Sequence, residues 1–215
     1  MDIESAIKFP INDENWIKKI VIGGILSLIP IVNLLVSGFY LKTMEKAINR
    51  SAGMPEWEGW CELFVKGLIG AIIAFIYLLI PTIVIAVMCG GAFLSAGAMG
   101  GEGAILAMFA AMFGGLAIGG ILAIIFGFFI PMALAMYVSS NSIGSAFKIG
   151  ELLSRIKSVL GDYLITYVVV IVLMIVLSVI SAIPILGWII AIFGGFYIGV
   201  VASKMFGEAY AASST

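Results

Sequence analysis

Two long stretches of this chain carry no charged side chain: residues 67–101 and 103–147, with the single Glu102 between them. A water-soluble fold cannot bury such runs whole, because a domain of this size needs far more polar cover than they offer. Composition agrees. Of the 215 residues, 63% are hydrophobic and 11% are charged, against about 25% charged in an average soluble domain. The sequence therefore predicts an all-α, polytopic helical membrane protein forming a single integral-membrane domain over 1–215.

A membrane span needs about 20 apolar residues at 1.5 Å each. Spans are expected at 67–88, 110–138, 163–182 and 186–206, with a Gly/Ala-rich stretch over 89–103 that is a loop or partly helical and a tight turn at 183–187. Pro184 breaks the helix there and disfavours helix at Ile183.

An N-terminal apolar segment, 20–41, is split by Pro30. Its Ser27-Leu28-Ile29-Pro30-Ile31 resembles Ser181-Ala182-Ile183-Pro184-Ile185, and Gly-Phe-Tyr follows both, at 38–40 and 195–197. Two readings stand. The segment is a re-entrant hairpin, whose arms of about 11 residues reach roughly 17 Å, or it is a kinked fifth span. A kinked span sets Lys8, Lys18 and Lys19 opposite the other eight of the 11 basic residues; a hairpin keeps all 11 on one face. The positive-inside rule favours the hairpin, while the tolerance of membrane helices for proline keeps the kinked span open. Either way the basic loops and the C-terminus are expected to face the cytoplasm.

Small residues recur at every fourth position in 103–127 and in 187–207, including Gly115, Gly119, Gly127, Gly195 and Gly199. That spacing lets helix backbones approach closely in lipid, within the chain or against another protomer or membrane-protein partner. Trp16, Trp57 and Trp60 edge the apolar segments, as interfacial anchors do. Residues 145–160 place Ile149, Leu152, Leu153, Ile156, Val159 and Leu160 at helical spacing, an amphipathic helix suited to the lipid interface.

Little in the sequence points to chemistry. With no histidine and two cysteines, the chain offers no evident metal or cofactor ligand set. Cys61 and Cys89 are not expected to pair. A net charge of −1 gives no sign of nucleic-acid binding. Asp2 and Glu4 stand where a signal peptide would be basic, and the sequon at Asn49 is expected on the cytoplasmic side. Ser145-Ala146-Phe147-Lys148 matches a bare S-x-x-K string without its companion motifs. Glu58, Glu62 and Lys66 read as a solvated helix face. Pro30 and Asn33 mark a helix break that either lines a path or lets Asn33 cap the following helix. The expected role is structural or assembly-related and non-enzymatic, with membrane lipids as partners. The alternative is a transporter or channel subunit for a neutral or weakly polar solute.

Several stretches resemble an uncharacterised polytopic family, domain-of-unknown-function family 4013. They are Trp16-Ile17-Lys18-Lys19 with Gly23-Gly24, Ile29-Pro30-Ile31-Val32-Asn33 leading to Gly38-Phe39-Tyr40, and Pro55-Glu56-Trp57. Glu62-Leu63-Phe64-Val65 with Gly67, and Phe206-Gly207-Glu208-Ala209-Tyr210, complete the set. The resemblance implies a prokaryotic, archaeal-type inner-membrane protein and carries no activity with it.

Overall fold

A computed structural model describes residues 2–100 and 102–214. Every element among them is helical: α1 (Ile3–Lys8), α2 (Trp16–Ser27), α3 (Asn33–Ile48), α4 (Trp60–Met99), α5 (Glu102–Ser140), a 3-10 turn (Ile143–Phe147), α6 (Ile149–Ser158), α7 (Leu160–Ser181) and α8 (Leu186–Ala212). Four helices are long and apolar enough to cross a membrane: Trp60–Leu94, Gly103–Ser140, Leu160–Ser181 and Leu186–Ala212. The chain is an all-α, multi-pass membrane protein.

The loop reading of 89–103 is corrected. α4 stays helical to Met99, through six of the glycines and alanines that suggested a loop. Gly100, at φ +65°, ends it, and Gly101 lies outside the described residues. Outside water every open backbone group is costly, so helix persists where glycine would favour a loop in solution. Pro81 and Pro131 likewise lie inside α4 and α5.

The chain forms two compact units. The smaller covers residues 72–131. There α4 and α5 pack through small residues: a Cβ on Gly119 would overlap Ile85, and one on Gly115 would come within 2.8 Å of Met88 Cβ. Val87, Phe93, Phe113 and Ile124 are strongly exposed, as lipid-facing side chains are.

The larger unit comprises residues 1–71 and 132–215. α8 is its centre, with α2, α3 and α7 packed along it. Phe39, Leu63, Tyr163, Phe196 and Val200 are fully or almost fully buried. Phe39 stacks on Trp57 at 4.4 Å between ring centroids and approaches Phe196 at 5.5 Å. The amphipathic segment is shorter than expected. α6 begins at Ile149 after the 3-10 turn, burying Leu152 and Ile156 in protein and leaving Ile149 and Leu153 exposed.

Candidate functional site

The two Ile-Pro-Ile stretches build the same turn. α2 and α7 end on the matching serines, whose hydroxyls each donate to a carbonyl, Ser27 to Gly24 and Ser181 to Leu177, both at 2.7 Å. Ile31 and Ile185 then take positive φ, 71° and 64°, strained for a residue with a β-carbon; Ile185, at ψ −62° with the Leu186 N–H donating to the Pro184 carbonyl at 2.7 Å, forms a γ-turn. Three backbone hydrogen bonds recur in step. Leu28 donates to Ile25 and Ala182 to Val179; Ile29 donates to Leu26 and Ile183 to Ile180; Asn33 donates to Ile29 at 3.0 Å and Gly187 to Ile183 at 2.9 Å. Each proline lacks an N–H and restricts the isoleucine before it, so the reversal is written into the motif.

Asn33 is the first residue of α3, and Val32 takes the cap position without a side-chain bond. The expected side-chain cap at Asn33 is therefore not made. Pro30 and Asn33 are exposed. The cavities described are lined by other residues, among them Ser5, Arg50 and Lys204 in one and Lys18, Glu56 and Trp60 in another.

The open ends of α2 and α3 meet each other. Lys19, at the start of α2, and Lys46, near the end of α3, both donate to the carbonyl of Met54, at 3.5 and 3.2 Å. Lys19 is 2% exposed. Its ammonium is paired with Asp13 at 2.9 Å and Glu56 at 2.5 Å. Asp13 also accepts from the N–H groups of Met54 and Asn15, each at 3.0 Å. The Trp57 indole N–H donates to the Lys19 carbonyl at 3.1 Å. Burial pushes the Asp13 carboxyl up, but Lys19 and the two backbone N–H groups outweigh it and hold it below the usual carboxylate range. Burial pushes Lys19 down, and Glu56 and Asp13 outweigh that and hold it above the usual ammonium value. α2 and α3 are thus a helical hairpin with its mouth closed by an ion cluster.

Sequence reading missed this clamp. Lys19 lies four residues before Gly23, and both are buried, so a charge on the packing stripe was the available signal. The Glu58–Glu62–Lys66 face is also more than solvated. Lys66 pairs with Glu45 of α3 at 2.5 Å, and its i, i+4 partner Glu62 lies 3.9 Å away.

Of the five glycines singled out, Gly115, Gly119 and Gly199 sit in close contacts, the last against the Tyr40 ring. Gly127 and Gly195 do not; a Cβ on either would meet no atom within 4 Å. The tightest approaches are elsewhere. A Cβ on Gly38 would overlap the Leu63 carbonyl, and one on Gly67 the Leu34 carbonyl, locking α3 to α4. Trp57 is a core residue rather than an interfacial anchor, because the Phe39 stack and its indole bond draw it inward. Trp60 is 47% exposed, and Trp16 packs partly buried against the core. Cys61 and Cys89 are free thiols. Ser145 lies 2.6 Å from the Ser142 carbonyl and 2.9 Å from that of Met136, stitching the turn. Among the described residues no group of His, Cys, Asp and Glu is placed to hold a metal ion.

These features define an uncharged bundle of spans joined to a Pro-turned hairpin clamped at its mouth. The sequence profile of the family described as "Protein of unknown function (DUF4013)" matches residues 22–186, and the chain belongs to that family. No curated protein and no solved structure matches it.

Proposed function

We propose that this is a non-enzymatic membrane protein with a structural or assembly role, resident in the cytoplasmic membrane with its basic end toward the cytoplasm. The observation that carries this reading is the filled centre of the larger unit. Where α2, α3 and α8 meet, Phe39, Trp57 and Phe196 pack with ring centroids 4.4–6.0 Å apart, filling the space a solute path would need. The 12-residue α2 reaches only about 18 Å, so the hairpin enters and leaves the membrane on one side. All 11 basic residues then share that side, as the positive-inside rule favours.

The assembly surface includes Gly195, a small residue on α8 with no neighbour within 4 Å of a Cβ. Close helix packing in lipid needs such positions, and a second membrane protein or a second copy of this chain suits it. In the test, the full chain is crosslinked in native membranes, wild type against Gly195→Leu. Loss of the crosslinked species with the monomer still folded supports the proposal; an unchanged crosslinking pattern contradicts it. Solute uptake into vesicles holding only this protein, blocked by Asn33→Trp, would instead support the transporter reading.

A further inference from the structure

A cavity of about 550 Å³ opens beside the mouth of the hairpin, between α1, the segment after α3 and the last turns of α8. Its polar lining comprises Ser5, Arg50, Ser51, Lys204 and Glu208. Its one carboxylate, Glu208, is already held by Lys204, and the Lys204 ammonium also lies 5.2 Å from the centre of the Phe9 ring. Arg50 has no ion-pair partner among the described residues. The lining therefore carries about one positive charge in excess, with two serine hydroxyls beside it.

The backbone at Arg50 is the second observation. α3 ends at Ile48 with Asn49 as its cap, and Arg50 follows in the left-handed conformation at φ +54°. That position after a helix is usually glycine, sometimes asparagine, because a β-carbon there costs about 1–2 kcal/mol. The residue present is arginine, and it lines the cavity. Strained positions of this kind gather at ligand clamps.

We propose that this cavity binds a phosphate group, with Arg50 as its principal contact. The guanidinium fork matches phosphate oxygens in pairs. The Ser51 hydroxyl beside it, and the Ser5 hydroxyl and Lys204 ammonium from two further segments, offer donors, and Ala47 and Ala211 supply an apolar wall. The group belongs either to an anionic lipid headgroup or to a soluble phosphate compound.

The test uses the full chain in two arms. In the first, binding of radiolabelled inorganic phosphate to detergent-solubilised protein is measured at fixed ionic strength, with acetate as competitor. In the second, native mass spectrometry counts lipids retained from phosphatidylglycerol and from uncharged diacylglycerol. Arg50→Gly relaxes the backbone, so it is expected to keep or raise the melting temperature while weakening binding at least about tenfold, or about 1.4 kcal/mol. Arg50→Asn also tolerates the left-handed backbone and guards against a glycine-specific effect. Lys157→Gln, outside this cavity, controls for loss of charge alone. Phosphate binding without preferential phosphatidylglycerol retention identifies a soluble ligand, and the reverse identifies a headgroup. Binding unchanged within twofold in both Arg50 variants, an equal loss in Lys157→Gln, full displacement by equimolar acetate, or no binding in either arm overturns the proposal.

Discussion

The two proline-turned hairpins have similar turns and differ in the length of their arms and in what closes their open ends. α7 and α8 have 22 and 27 residues, enough to cross a hydrocarbon core of about 30 Å. α2 and α3 have 12 and 16. The open end of the long hairpin is closed by an aromatic cluster, Tyr163, Tyr167 and Phe206 with ring centroids 5.0–5.5 Å apart, and by Arg155, which lies over the Tyr210 ring and bonds Ser213 at 3.2 Å. The short one is closed by a buried ammonium with two carboxylates and an indole. A turn motif thus fixes where a helix reverses but not how deep the hairpin goes. Depth follows from where the first charges fall, and Lys19 and Lys42 bracket the short hairpin early.

The contrast is most severely tested at the glycines that seat the short hairpin. Gly38→Leu drives a side chain into the Leu63 backbone and is expected to cost more than about 3 kcal/mol, at the upper end for overpacking. Unfolding in detergent, followed by tryptophan fluorescence, reads it; a loss under about 1 kcal/mol would mean that α3 is not locked to α4.

Next in size is the clamp. Asp13→Asn leaves Lys19 buried with one carboxylate and is expected to destabilise by about 3 kcal/mol, as broken buried pairs do. Arg155→Gln, at the mouth of the long hairpin, is expected to cost about 1 kcal/mol or less. Equal costs would erase the distinction between the two mouths.

The clamp also has a pH signature. Asp13 lies below its ordinary value, so its contribution is complete well above about pH 4 and is lost as pH falls through its folded pKa. Lys19 lies above its ordinary value, so its contribution holds below about pH 10 and is lost as pH rises through its folded pKa. Melting temperature against pH is expected to fall on the acid side, and Asp13→Asn is expected to flatten that limb. An unaltered acid limb would remove Asp13 from the account.

The smallest effect sharpens what the hairpins share. Ile31→Gly and Ile185→Gly each relieve positive-φ strain at an exposed position. Each is expected to change stability by no more than about 1 kcal/mol, in the same direction. Opposite signs would show that the turns are not equivalent.

What the sequence revealed follows from the range of each signal. The four spans and both turns are local: uncharged runs and Ile-Pro-Ile are visible in one short window. The clamp is not, because Lys19 and Glu56 are 37 positions apart and meet only once the hairpin has closed. Gly38 and Gly67 carry no regular stripe; their meaning depends on α3 lying antiparallel to α4. The stretch 89–103 misled because its composition signals a loop in water, whereas exclusion of water favours helix. Gly195 marks another limit, since a small-residue stripe does not say whether its partner is within the chain.

The proposed function has the short hairpin return to the side it came from, and one labelling experiment tests that. Cys89 is replaced; Cys61 is kept in one variant, and Ser5→Cys is made in another that lacks Cys61. Sealed vesicles of one orientation are treated with a membrane-impermeant thiol reagent. A re-entrant hairpin is expected to label at both positions from the same face, with both protected from the other. Labelling of one position with protection of the other, relieved by detergent, would mean that residues 20–41 cross the membrane and that the hairpin reading is wrong.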